Sequence, residues 1–256
     1  MDDIIVTPLG TVSPYTKKDM NCPGFLINYH DKNILLDCGN GITRLLKFPD
    51  ILNNLTVIVT HFHKDHFGDL SALQYASKVY HRLGMIDNKI DVYLPKEDYY
   101  HCKETIVSDT DSFANYIDIY DGLSIMIDDM KITFYNNNSH TIPSYMVKLE
   151  TNNKKIVYTS DIGTTNYCGF VNFCMNADLL ICESSFLLKH NANSTTHMTA
   201  KLASILANDA NVNKLVLTHF WPEEDKSLYL EEAKELFCNT TVAIEGEIIE
   251  LNSRTK

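Results

Sequence analysis

At 256 residues, 45% of them hydrophobic and 21% charged, the chain is long and apolar enough to bury a large core, and its composition is that of a globular protein rather than a disordered one. A formal net charge of -11 excludes a broad cationic surface for gripping long nucleic acid, because neutralising a phosphate backbone takes clustered Lys and Arg. It leaves room for a small phosphate-bearing substrate, whose charge bound metal ions neutralise locally.

The start, Met1-Asp2-Asp3, is acidic where a secretory signal is basic, and no later apolar run approaches membrane-spanning length, so the cytoplasm is the expected location. Short apolar, β-branched runs then recur as strand signals. They are Ile4–Val6, Phe25–Ile27, Ile34–Leu36, Val57–Val59, Ile132–Phe134, Tyr145–Val147, Ile156–Tyr158, Leu179–Ile181, Leu215–Leu217 and Ile248–Ile249. Helix-like stretches lie at Asp69–Val79, Thr199–Asn208 and Lys226–Phe237; in the second, Leu202, Ile205 and Leu206 fall at i, i+3, i+4. The Asn-rich spots at 136–138 and 152–153 read as turns. No Pro/Gly/Ser-rich linker divides the chain, so 1–256 reads as one domain. Strands in series with interspersed helices favour mixed sheets over a doubly wound parallel sheet. The seven cysteines are scattered, odd in number and without a C-x-x-C pair, which fits reduced, mostly structural thiols.

One internal echo stands out. Val57-Ile58-Val59-Thr60-His61 and Leu215-Val216-Leu217-Thr218-His219 share one form, and Ile156-Val157-Tyr158-Thr159-Ser160-Asp161 is a looser third copy. Each places a metal-competent side chain just past a buried strand, where rigid backbone positions it and the loop leaves it accessible. The strongest single feature is His61-Phe62-His63-Lys64-Asp65-His66. Imidazole and carboxylate suit zinc, and manganese or iron as well. Four such ligands in six residues do not all face one ion. On a loop, His61 and His63 point one way and Asp65 and His66 another, which suits two adjacent ions.

His-x-His-x-Asp-His after an apolar strand resembles the signature of the metallo-β-lactamase superfamily of hydrolases, and the similarity extends over nearly the whole chain. Asp37-Cys38-Gly39 resembles that superfamily's early Asp-x-Gly turn, His140 its isolated third histidine, Asp161 its bridging aspartate and His219 its last ligand. The resemblance implies an α/β (α+β) fold, a four-layer αββα sandwich of two mixed β-sheets flanked by helices. It implies two divalent ions, zinc first, with His61, His63 and His140 on one, Asp65, His66 and His219 on the other, and Asp161 between them. Asp37 would orient the ligand loop from behind. Without the resemblance His140 reads as a loop histidine, and Asp37 and Asp161 as turn or cap residues.

Cys182-Glu183-Ser184-Ser185-Phe186, His197-Met198-Thr199-Ala200 and Leu217-Thr218-His219-Phe220 resemble the ribonuclease Z branch, which pairs a Glu with a downstream His to protonate the leaving oxygen. The resemblance assigns that work to Glu183 and His197, with Asp65 sharing proton handling besides ligating; a strand-end carboxylate and a helix-start histidine are the plainer alternatives. Ribonuclease Z of the usual kind carries a tRNA-clamping arm between its third histidine and its bridging aspartate. Here 21 positions separate His140 from Asp161, and the arm has no room. Shorter relatives resembling cyclic-nucleotide phosphodiesterases follow the last ligand with a Trp-Pro pair, as Trp221-Pro222 does here. Trp221 is either a packing residue or a wall against which a base stacks, and Asn21–Phe25 resembles a loop near the pocket.

The leading expectation is a phosphodiesterase that uses a hydroxide bridging two metal ions to cleave a small phosphodiester such as a cyclic nucleotide, or a short RNA. A ribonuclease Z-type tRNA 3′-processing endonuclease comes second. A thioester or lactone hydrolase and a non-catalytic, metal-stabilised binding protein complete the set. The resemblance also allows a homodimer.

Overall fold

The structure, a computed structural model, describes residues 4–108, 114–192 and 195–251, so the acidic Met1-Asp2-Asp3 start lies outside the described residues. The chain forms two compact units: one runs through Ile119 and takes in Glu245–Glu250, the other spans Tyr120–Ile244.

The first unit is built on a six-stranded sheet, ordered β1 (Ile5–Gly10), β2 (Gly24–Tyr29), β3 (Lys32–Leu36), β4 (Leu55–Ile58), β5 (Ile90–Pro95), β6 (Ala114–Ile119). Strands β1 to β3 are antiparallel and β3 to β6 parallel, so the sheet is mixed. Three helices accompany it: α1 (Lys64–Phe67), α2 (Leu70–Arg82) and α3 (Cys102–Ser108). In α2 the buried residues Leu70, Leu73, Gln74 and Ser77 recur at i, i+3, i+4, i+7, the single stripe an amphipathic helix turns inward. Gln74 keeps its polar end satisfied on the Tyr116 hydroxyl.

The second unit carries a seven-stranded sheet, also mixed. Its antiparallel part is β7 (Ser124–Ile127), β8 (Met130–Asn136), β9 (Tyr145–Glu150) and β10 (Lys155–Tyr158). From β10 the order continues in parallel through β11 (Leu179–Glu183), β12 (Lys214–Thr218) and β13 (Thr240–Val242). Helices α4 (Tyr167–Cys174), α5 (Ala200–Asp209) and α6 (Lys226–Lys234) belong to this unit. Burial follows the strands' places: every residue of central β11 is buried, whereas edge strand β7 alternates between exposed and half-buried. Each fully buried Leu, Ile or Phe side chain contributes about 1.5–3 kcal/mol.

Nine of the ten expected strand runs fall within or overlap strands. Ile248–Ile249 does not: the chain turns at Gly246 (φ 82°), Ile249 makes one isolated antiparallel bridge to Val6, and Ile248 stays exposed. Among the described residues no helix is long and apolar enough to cross a membrane.

For function, the parallel strands matter most. The three echoed runs supply β4, β10 and β12, each in the parallel part of its sheet. In the second unit Tyr158 pairs with Ile181 and Ile181 with Val216, so that register brings Asp161, Glu183 and His219 out at one sheet edge. Carboxyl ends of parallel strands are where open α/β sheets place ligand chemistry.

Candidate metal centre and acid–base pair

In the first unit β4 runs out into Val59-Thr60 and then the ligand loop. Asp37, just past β3 and fully buried, organises it. Its carboxylate accepts hydrogen bonds from the Thr60 amide (2.8 Å) and hydroxyl (3.0 Å) and pairs with His66 Nδ1 at 2.7 Å. The Thr60 hydroxyl, its proton spent on Asp37, faces His61 Nδ1 at 3.2 Å and accepts from it. Both rings are thereby fixed with Nδ1 protonated and Nε2 carrying the lone pair, the arrangement that ligating histidines adopt. His61 Nε2 and His63 Nδ1 face each other at 3.1 Å, Asp65 Oδ2 lies 3.6 Å from His66 Nε2, and the Ser13 hydroxyl donates to Asp65 Oδ2 at 2.7 Å. The Asp37-Cys38-Gly39 turn needs its glycine because a β-carbon at Gly39 would sit 2.1 Å from the Asp65 carbonyl oxygen.

The second unit gathers the other expected residues. Asp161 follows Ser160, which leaves the strand direction at φ 54°, and His219 itself sits at φ 65° past the end of β12. The two carboxylate oxygens of Asp161 diverge: Oδ1 is 3.0 Å from His219 Nε2 and Oδ2 is 3.6 Å from His140 Nε2. His140, on the loop between β8 and β9, directs Nδ1 to the Thr196 carbonyl at 3.1 Å, again leaving Nε2 as the lone-pair nitrogen. Burial holds the His140 pKa below its ordinary value, against the pull of the Asp161 charge, so the ring is kept neutral.

His197 is the opposite case. Its Nδ1 meets Glu183 Oε1 at 3.0 Å and lies 4.0 Å from Asp161 Oδ2. Burial by itself lowers its pKa, but the Glu183 charge and hydrogen bond together with the Asp161 charge outweigh it and hold the imidazolium above the usual range. Glu183 accepts also from Ile162 N–H (2.9 Å), Ser185 N–H (3.2 Å) and Ser185 Oγ (2.7 Å). A carboxylate so fully engaged orients its partner.

These donor sets fit metal ions. Around an ion with ligand bonds of about 2.0–2.1 Å, tetrahedral ligand atoms lie roughly 3.3 Å apart. The facing pairs in each unit, at 3.0–3.6 Å, have that spacing, and the acceptors facing Nδ1 of His61, His66 and His140 leave Nε2 as the ligating nitrogen of each ring. A further group, Asp98, His101 and Glu104, is exposed, and Asp98 spends its oxygens on the backbone amides of Lys103 and Glu104, as a helix cap does.

Several bracing residues carry no sequence signal. Asn137, read as a turn, is fully buried, and its side chain donates to the Asp161 carbonyl (2.9 Å). Ser144 donates to the same carbonyl at 3.2 Å, and Ser139 Oγ accepts from Gly163 N–H at 2.9 Å. Small polar residues in loops look alike until the fold shows which are buried. Trp221 is exposed, with its ring edge-on to His190. Asn21 is buried, bonded to Leu9, Arg44 and Glu245 within the first unit.

A family model described as "Beta-lactamase superfamily domain" matches residues 32–220. "Probable metallo-hydrolase YhfI" of Bacillus subtilis is 26% identical over 216 residues, covering 84% of this chain and 86% of that protein. A crystal structure of YhfI aligns with a TM-score of 0.86 at 25% identity, covering 97% of this chain and 100% of that one. Ribonuclease Z of Archaeoglobus fulgidus is 26% identical over 295 aligned positions, covering 93% of this chain and 94% of that protein. Those positions outnumber the residues of the whole chain, so the ribonuclease carries segments without counterpart here. The short form of human tRNase Z shares the fold, with a TM-score of 0.74 at 22% identity over 97% of this chain and 99% of that one.

Proposed function

The chain belongs to the β-lactamase superfamily, and on that premise we propose that it is a dinuclear metal-dependent phosphodiesterase acting on a small phosphodiester such as a cyclic nucleotide. In this reading the two units act as one domain over 1–256. His61, His63, His140, Asp65, His66, His219 and Asp161 would hold the ions. When bound, such ions supply a nucleophile derived from water at neutral pH and positive charge against the phosphoryl oxygens. The rest falls to the chain's own groups. Asp65, steadied by Ser13, takes part in removing the proton of the attacking water. His197 gives the proton on Nε2 to the departing oxygen as the P–O bond breaks, and Glu183 steadies the imidazolium from Nδ1.

The observation that carries the reading is the His197–Glu183 contact of 3.0 Å with Asp161 Oδ2 4.0 Å away, a proton donor beside a ligand carboxylate. An alkoxide is a poor leaving group and needs an acid, whereas a thiolate departs without one. That favours phosphodiesters over thioesters. Ribonuclease Z activity is the second reading, favoured by the extent of the match to the Archaeoglobus fulgidus protein. Against it stand the net charge of -11 and the span from His140 to Asp161, which β9, the turn closed by Thr151 N–H on the Lys154 carbonyl, and β10 fill.

The test is a substrate panel on zinc-loaded protein: bis(p-nitrophenyl) phosphate, 3′,5′- and 2′,3′-cyclic nucleotides, precursor tRNA, a thioester and a lactone, with Asp65→Ala as control. Turnover of the small phosphodiesters, lost in the control, is expected. Cleavage of precursor tRNA alone selects the second reading, and thioester or lactone turnover with inert phosphodiesters overturns both.

A further inference from the structure

Ser185 lies two residues beyond the proposed acid pair's Glu183, and its hydroxyl reaches three groups at once. Oγ is 2.7 Å from Glu183 Oε2, 2.8 Å from His219 Nδ1 and 3.3 Å from His197 Nδ1. A hydroxyl has one proton to give and two lone pairs to offer. An ionised carboxylate only accepts, so the proton goes to Glu183, and Oγ then meets His219 as an acceptor. His219 must therefore carry its own proton on Nδ1, which leaves the lone pair on Nε2, the nitrogen 3.0 Å from Asp161 Oδ1. The backbone holds this serine in place: its amide donates to Glu183 Oε2 at 3.2 Å, and the buried Tyr229 hydroxyl donates to its carbonyl at 3.3 Å.

We propose that Ser185 is a positioning residue that couples the Glu183–His197 pair to His219, fixing the His219 tautomer and passing the negative charge of Glu183 to that ligand. The inference rests on the metal-centre reading above. Its consequence is that the acid–base pair and the metal affinity of the His219 site are not independent: neutralising Glu183 weakens metal binding through Ser185, although Glu183 is not itself a proposed ligand. Residues that orient ligating histidines in this way are worth about 10- to 100-fold in metal affinity or activity.

Two measurements on the full chain test it, with Ser185→Ala, Ser185→Thr, Glu183→Gln and the Ser185→Ala/Glu183→Gln double variant. Long-range proton–nitrogen NMR before metal addition reads the His219 tautomer, which does not depend on whether the protein binds metal or cleaves phosphodiesters. Competition with a chromogenic chelator then reads zinc affinity. The expected results are an Nδ1–H His219 in wild type, its loss in Ser185→Ala and its return in Ser185→Thr. Zinc affinity falls about tenfold or more in Ser185→Ala and in Glu183→Gln, with no further fall in the double variant, because coupled residues are not additive. A wild-type tautomer in Ser185→Ala overturns the proposal, as does wild-type zinc affinity there, or multiplicative losses in the double variant. Failure of wild type to bind zinc counts against the metal-centre reading, and the tautomer still decides the role of Ser185.

Discussion

The two units arrive at similar chemistry by different routes. In the first, His61, His63, Asp65 and His66 lie on one loop after β4, and one buried carboxylate, Asp37, braces the loop through Thr60 and His66. In the second, His140, Asp161, Glu183, His197 and His219 come from five separate stretches, of which Asp161, Glu183 and His219 are aligned by the parallel register of β10, β11 and β12, and Asn137, Ser144 and Ser185 brace the set. Each unit also packs a glycine where a β-carbon cannot fit: Gly39 against the Asp65 carbonyl and Gly163 against the Thr195 carbonyl. A contiguous set depends on local turns. A dispersed set depends on the whole sheet forming in register, and it spreads its bracing over more residues.

Removing one ligand from each route should give the largest effects, and equal ones, if both serve one centre. Asp65→Ala and Asp161→Ala are each expected to lower kcat/KM on a cyclic nucleotide by about 10³-fold or more, several kcal/mol of lost charge stabilisation, measured by steady-state kinetics. Full activity in either variant would separate the two routes. His197→Ala, which touches only the dispersed set, should cost roughly 10²- to 10⁴-fold on substrates with alkoxide leaving groups and far less on nitrophenyl esters. Equal losses on both substrate types would remove its proposed acid role.

The next effect down falls on the brace of the contiguous set. Asp37→Asn is expected to weaken zinc binding about 10- to 100-fold in chelator competition, since the amide keeps only one of the two acceptor oxygens that serve Thr60 and His66 and loses the charge. The smallest effect contrasts a structural neighbour with a functional one. Thr199, two residues beyond His197, caps α5 by accepting from Leu202 N–H. Thr199→Ala should cost about 1 kcal/mol and lower Tm by roughly 2–4 °C in a calorimetric scan, with zinc binding and turnover at wild-type levels.

The contiguous set was legible in the sequence because histidine is rare and its clustering conspicuous, and the strand ahead of it is a plain apolar run. The three Thr-His or Thr-Ser-Asp endings were legible too, and the structure gives the reason: each closes a strand in the parallel part of a sheet. Strands β5 and β6 escaped notice because Asp91, Asn115 and Asp118 interrupt their apolar residues, and β7 and β13 because they are short edge segments. Asn137 and Ser185 escaped for another reason. A small polar residue gains its role from burial and from partners distant in sequence, and nothing in Asn136-Asn137-Asn138 distinguishes the middle asparagine, which reaches Asp161, from its neighbours.

The central proposal is that Asp161 and the His61–His66 loop each serve in holding metal. Native mass spectrometry of the zinc-loaded protein tests it most directly. The account predicts two zinc ions per chain in wild type and fewer than two in both Asp65→Ala and Asp161→Ala. Two zinc ions retained in Asp161→Ala, or no zinc held by wild type, would contradict it.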